Sequence, residues 1–139
     1  RLVIIGDGPE KNFIKENLNK DDSITWTGSL IDEKDIAPYM KEASLVFVPG
    51  HSGLSINHAL IYGRPYFTID SKTHAPEINY LINGVNGYLL GNDTTKNINL
   101  MSTFLSSSEM TIYDNAYLSG KELSVDSWCK KIEEAINSK

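Results

Sequence analysis

The sequence predicts an α/β fold in which a doubly wound, Rossmann-like parallel sheet of about five strands is followed by C-terminal helices. Short runs of β-branched and aromatic residues recur between Leu2 and Leu90, as expected for strands that are buried on both faces. Helical patterns separate these runs, and a glycine-containing turn follows most of them. Because crossover helices join neighbouring parallel strands, this alternation favours repeated βαβ units.

Each element has its own signal in the sequence. The predicted strands are Leu2–Ile5, 24–27, 45–48, Tyr66–Ile69 and Gly87–Leu90. Between them, helices are expected to begin near Pro9, Asp32, Ser52 and Pro76, because a proline in the first turn or a capping side chain favours a helix start. Gly63 is expected to close the third of these helices. Beyond Gly91, helical patterns around 98–105, 109–118 and 125–136 predict three helices that fold over the sheet.

The stretch 45–65 organises the rest of the chain. It reads as a buried strand, a Pro-Gly turn and a helix with Ser52 at its N-cap. The first amides of such a helix have no partner within it, and the helix dipole is positive there, so the turn is suited to an anion. Gly50 and Gly53 would let a phosphate approach the backbone, and the hydroxyls of Ser52 and Ser55 would add donors. The alternative is that the two glycines only shape a tight turn.

Composition limits the classes of function. The 139 residues suffice for one domain, and a net charge of −5 without a basic stripe argues against a nucleic-acid partner. The single cysteine, Cys129, cannot form an internal disulfide and fits a reducing cytosol. The apolar runs are too short to cross a bilayer.

The turns that follow the predicted strands should meet at one edge of the sheet, where ligands of such folds bind. These turns include Gly6, Gly8, Gly28, His51 and His74. His58 follows about one turn into the third helix and is within reach of the same edge. Their convergence favours a ligand site over the purely structural alternative.

Several known catalytic and nucleotide-binding motifs are present only in part or not at all. Gly6-Asp7-Gly8 lacks the third glycine of a dinucleotide fingerprint, and no Gly-Lys-Ser/Thr triplet exists. The segment 50–54 begins like a nucleophile elbow but ends in Leu54 rather than glycine, which disfavours a hydrolase. His51 and His58 do not have the spacing of zinc ligands, so we expect no metal.

Taken together, the segments 2–10, 24–28, 49–60, 62–65, 74–78 and 83–89 resemble the C-terminal, donor-binding half of GT-B glycosyltransferases of the retaining group 1 (family 4) type. The resemblance implies a nucleoside-diphosphate sugar as donor, with no metal or other cofactor. It places Gly28, Ser29 and Leu30 beside the base and the Gly53–Leu54 backbone beside the diphosphate. His58 lies where the family usually has a ribose-binding carboxylate. Where the common pattern has two glutamates eight positions apart, this chain has Gly50 and His58.

No catalytic residue is assigned from the sequence. The predicted donor-binding residues are Gly6, Gly8, Gly28, Ser29, Leu30, Gly50, His51, Ser52, Gly53, Leu54, Ser55 and His58.

The function implied by the resemblance is transfer of a sugar, of hexosyltransferase type and retaining, to an acceptor in bacterial cell-surface polysaccharide or glycolipid synthesis. Residues 1–139 would be one nucleotide-sugar-binding domain, preceded in the enzyme by its first strand and helix and by an N-terminal acceptor domain. That acceptor domain would be the partner and would mediate peripheral association with the inner face of the membrane from the cytoplasm. The fragment alone is expected to be inactive.

Two alternatives stay open. A GT-B-like nucleotide-sugar 2-epimerase would share the sheet and the donor site, and it should carry paired carboxylates in its cleft. A non-catalytic nucleotide-binding α/β module, of the response-regulator kind, should carry an acidic cluster at the end of the first strand, where this chain has only Asp7.

Overall fold

The computed structural model describes residues 1–18, 22–107 and 109–138, except for the side chains of residues 17 and 18. The chain forms two compact units, Arg1–Glu42 and Ala43–Lys139. All five predicted strands are present, and every strand pair is parallel. Where we predicted one sheet, the hydrogen bonds form a two-stranded sheet in the first unit and a three-stranded sheet in the second.

The first unit is a βαβα arrangement. It consists of β1 (Leu2–Ile5), α1 (Lys11–Leu18), β2 (Ile24–Gly28) and α2 (Glu33–Glu42). Leu2 lies opposite Ile24, and the register shifts between Ile4 and Ile5 at the end of β1. The helix α2 begins directly after Asp32, as predicted.

The second unit contains the stretch around which the chain is organised. Its elements are β3 (Val46–Val48), α3 (Ser55–Ile61), β4 (Tyr66–Ile69), a short 3-10 helix (Pro76–Tyr80), β5 (Gly87–Leu90), α4 (Thr94–Ser106), α5 (Met110–Glu122) and α6 (Val125–Asn137). The central strand of its sheet is β4, which pairs with β3 on one side and β5 on the other. The helices α4, α5 and α6 confirm the three helices predicted beyond Gly91.

Aromatic side chains dominate the core of the second unit. Phe67 on β4 is fully buried and forms one cluster with Leu90, Phe104 and Ile112 from β5, α4 and α5. Its ring centroid lies 5.1 Å from that of Tyr88 and 5.1 Å from that of Phe104. Such ring pairs each contribute about 0.5–1.5 kcal/mol beyond their buried area, so Phe104, together with Leu100 and Met101, packs α4 against the sheet.

Two glycines determine how α3 is held. At its C-terminal end, Gly63 has φ +65°, its amide donates to Leu60 O, and the Arg64 amide donates to Ala59 O. This is a Schellman motif, which confirms the predicted end of the helix. On its flank, a Cβ added to Gly120 of α5 would lie 2.1 Å from Leu60 O, so the backbones of α3 and α5 are in direct contact.

Candidate functional site

The loop 49–54 joins β3 to α3 and differs from the prediction at Ser52. The helix begins at Ser55 with Leu54 in the N-cap position and no capping side chain, so the prediction of Ser52 as N-cap is wrong. Ser52 is instead 0% exposed. The reason is tertiary: buried hydroxyl groups of β4 bind the Ser52 hydroxyl beneath the loop.

These hydroxyls form a chain whose direction is fixed by proton count. Thr68 Oγ1 donates its only proton to Val48 O (2.8 Å), so it must accept from Ser52 Oγ (2.9 Å). Tyr66 donates its proton to Ser52 Oγ (3.0 Å). Ser55 Oγ, 2.7 Å from the Tyr66 oxygen, must therefore be the donor in that pair. The predicted role of these two serine hydroxyls as donors to a ligand is not available in this arrangement, because both protons are used within the protein.

The loop 70–75 holds the backbone of Ser52 at two points. The Ser52 amide donates to His74 Nδ1 (3.0 Å), and the Ala75 amide donates to Ser52 O (2.9 Å). The other ring nitrogen, His74 Nε2, lies 2.9 Å from the Ile69 carbonyl oxygen at the end of β4. An imidazole that accepts at Nδ1 and donates at Nε2 is neutral and carries its proton on Nε2.

The next three amides are left without partners. Among the described residues, the N–H groups of Gly53, Leu54 and Ser55 donate no hydrogen bond, whereas those of Ile56 and His58 donate to Gly53 O and Leu54 O. Consecutive unpaired amides at the start of a helix attract anions. Gly53 is partly accessible, and a Cβ added to it would meet only the Ala75 side chain, at 3.7 Å.

Two histidines predicted to bind the donor lie near these amides in the sequence. His51 is exposed in the loop 49–54, where its Nδ1 contacts the Thr73 carbonyl oxygen. His58 is half-buried on α3, and its ring centroid lies 5.5 Å from that of Tyr62 one turn later. Contact of either ring with a ligand stays a prediction.

In the first unit, the turns after β1 and β2 lie side by side. The Gly6 amide donates to Gly28 O (2.8 Å), and the Trp26 indole N–H donates to Gly6 O (2.8 Å). The Gly8 amide donates to the Asp7 carboxylate (2.7 Å) and is thus used internally. After Gly28, Ser29 is exposed and Leu30 is half-buried.

The side chains that support the loop 49–54 lie outside the predicted set of donor-binding residues. Tyr66 and Thr68 were not predicted near the site, and His74 was predicted only to lie in a turn at the same edge of the sheet, yet all three bind Ser52. One signal was present: Tyr66 and Thr68 are two apart in an otherwise apolar strand, so both polar groups must lie on the same face.

In the part of the chain that the structure describes, no three His, Cys, Asp or Glu side chains are grouped so that they could hold a metal ion. None of the described helices has both the length and the apolar composition needed to span a bilayer. Independence from metals stays a prediction.

Comparison with known families identifies the chain. Residues 1–106 match the family model described as "Glycosyl transferases group 1". The chain belongs to this family. Among curated protein sequences, none matches this glycosyl transferase chain.

Solved structures of glycosyl transferases share its fold. Anabaena HepE, solved in complex with UDP-glucose, superposes with a TM-score of 0.68 at 21% identity over 99% of this chain and 40% of its own. WaaG, a glycosyltransferase involved in lipopolysaccharide biosynthesis, gives 0.70 at 17% identity over 97% of this chain and 37% of its own. The C-terminal domain of a group 1 family protein, LpcC from Francisella tularensis, gives 0.68 at 20% identity over 87% of this chain and 68% of its own.

These matches establish the predicted fold class, that of a GT-B glycosyltransferase domain. The glycosyl transferase chain spans about 40% of the length of HepE.

Proposed function

We propose that this chain binds the nucleoside-diphosphate part of a sugar donor and thereby serves sugar transfer to an acceptor. The observation that carries the proposal is the run of unpaired amides at Gly53, Leu54 and Ser55 at the start of α3. A diphosphate carries the charge that these amides and the positive end of the helix dipole attract. In the transition state, the same groups would stabilise the departing nucleoside diphosphate, whose negative charge grows as the sugar leaves.

Neighbouring structures suggest the first ligand to try. HepE was solved with UDP-glucose, with UDP and glucose, and with UDP. At 21–22% identity these complexes support the fold and the choice of UDP as a probe. The base-side contacts proposed for this chain are those of Gly28, Ser29 and Leu30, with His58 at the ribose.

The type of transfer, its biosynthetic context and the acceptor-binding domain are further proposals. We propose retaining transfer of a hexosyl group without a metal, in cell-surface polysaccharide or glycolipid synthesis, with the acceptor bound by a second domain of a larger cytoplasmic enzyme. Support comes from the description of WaaG as a lipopolysaccharide-biosynthesis enzyme and from the coverage of about 40% of HepE. The epimerase alternative lacks support at this loop, because residues 49–58 contain no carboxylate.

The test is a calorimetric titration of the 139-residue chain with UDP, GDP and ADP. One of the three should bind, and Gly53→Val should weaken that binding at least about tenfold, equivalent to about 1.4 kcal/mol, because its methyl groups would obstruct the approach to the amides. Gly91→Ala is the matched control, since a Cβ there meets no atom within 4 Å. Circular dichroism should show the same fold for all three proteins. Failure of all three nucleotides to bind, or equal affinity in Gly53→Val, would overturn the proposal.

A further inference from the structure

We propose that His74 is a positioning residue for the donor-binding loop, acting as a neutral imidazole whose Nδ1 holds the Ser52 amide so that the unpaired amides begin at Gly53. This inference rests on the proposed function, because the loop 49–54 is taken as the seat of the diphosphate. His74 itself touches no ligand in this proposal. It acts through the backbone of Ser52.

The first step of the argument is the position of the ring between two backbone groups. His74 accepts from the Ser52 amide at 3.0 Å and donates to Ile69 O at 2.9 Å. The imidazole therefore joins the end of β4 to the loop that follows β3. Both contacts are satisfied together only by the neutral tautomer with its proton on Nε2.

The second step is that every polar group of Ser52 makes a hydrogen bond within the protein. Its amide binds His74, its carbonyl accepts from the Ala75 amide, and its hydroxyl lies between Tyr66 and Thr68. The residue is completely buried. Since the backbone at Ser52 is fixed in this way, the orientation of the following peptide groups is fixed before any ligand arrives, which favours binding.

The third step distinguishes the contact of His74 Nδ1 with the Ser52 amide from the contact of Nε2 with Ile69 O. An asparagine at position 74 can offer its side-chain oxygen near the place of Nδ1, whereas the longer glutamine can place its NH₂ group near the place of Nε2. His74→Asn should thus keep the acceptor for Ser52 and lose the contact with Ile69. His74→Gln should do the reverse. A residue that only fills space would be replaced equally well or equally badly by both.

The experiment uses the ¹⁵N-labelled 139-residue chain. A two-bond ¹H–¹⁵N spectrum of the imidazole should show His74 protonated on Nε2. In titrations followed by the amide signals of Gly53, Leu54 and Ser55, His74→Asn should bind UDP within about threefold of the unsubstituted chain. His74→Gln and His74→Ala should bind at least about tenfold more weakly, because the buried Ser52 amide loses its acceptor.

The outcomes distinguish the two proposals. A chain that binds UDP with equal affinity in its His74→Asn and His74→Gln forms overturns the positioning role and leaves the proposed function intact. An Nδ1-protonated His74 in the ligand-free chain overturns the positioning role as well. An unsubstituted chain whose loop amides respond to none of UDP, GDP and ADP overturns the proposed function and this inference with it. Should His74→Ala fail to fold, the Asn and Gln pair still decides the question.

Discussion

At the scale of single residues, the site is built from polar groups that are satisfied almost completely inside the protein. Ser52 is surrounded by Tyr66, Thr68 and His74, and each of these contacts is 3.0 Å or shorter. Buried polar networks of this kind are costly when they are broken, because the remaining partner stays desolvated. The rigidity of the loop 49–54 should therefore depend on individual hydroxyl groups.

Tyr66→Phe tests this dependence. The substitution removes the donor to Ser52 and the acceptor of Ser55, so we expect the free energy of unfolding to fall by about 1–2 kcal/mol in urea titrations. Tyr88→Phe is the matched control, because the Tyr88 hydroxyl makes no hydrogen bond with any described residue. The control should stay within about 0.5 kcal/mol. Equal effects of the two substitutions would contradict the argument.

A second residue-scale prediction concerns Glu122 near the end of α5. The Lys131 ammonium, 2.7 Å away, lowers the pKa of this carboxyl through a hydrogen bond and its charge. Because the folded-state pKa is lowered, the associated stabilisation is complete above the carboxyl's ordinary pKa and is lost as the pH falls through the lowered value. Lys131→Met should raise the pKa of Glu122, as followed by NMR titration of its carboxyl carbon. Lys130→Met should raise it less, since Lys130 contributes the smallest effect. The reverse order would be inconsistent with the ion pair seen here.

At the scale of elements, α3 is defined by close backbone contacts. Its C-terminal end is closed by the Schellman motif at Gly63, and its flank lies against α5 at Gly120. These contacts fix the C-terminal end and the flank of α3, whereas its N-terminal end is held by the hydrogen bonds of Ser52 and Ser55.

Gly120→Ala is the prediction at this scale. The added Cβ would lie 2.1 Å from Leu60 O, so α5 must shift away from α3. We expect a loss of about 3 kcal/mol or more in the free energy of unfolding, beyond the gain in helix propensity of about 1 kcal/mol. The measurement is chemical denaturation, with Gly91→Ala as control because its Cβ would meet nothing within 4 Å. An unchanged midpoint for Gly120→Ala would mean that the two helices are not in backbone contact.

At the scale of the whole molecule, the sequence predicted the strands, the helices and the family, but not the division into two sheets, the start of α3 or the buried hydrogen bonds. Strand positions follow from apolar runs, and the end of α3 follows from Gly63, because these signals are local. The partner of the Ser52 hydroxyl could not be predicted in the same way. A serine after a turn is a good N-cap by local rules, and only the folded chain brings Tyr66 and Thr68 close enough to compete. The contact of Gly120 with Leu60 O is equally nonlocal.

The family could be predicted because many short segments agree with it in order and spacing, and the match over residues 1–106 confirms it. The individual donor contacts stay predictions. They depend on where a bound ligand lies, which local sequence signals do not determine.

The one-way order of the buried hydroxyls has a consequence for whatever reaches Ser55. Its proton is committed to Tyr66, so the outer side of that oxygen offers only lone pairs. An ionised phosphate oxygen would be repelled by Ser55 Oγ, whereas a hydroxyl group on a sugar ring could donate a hydrogen bond to it. Any ligand group that hydrogen-bonds to the Ser55 hydroxyl must therefore be the donor.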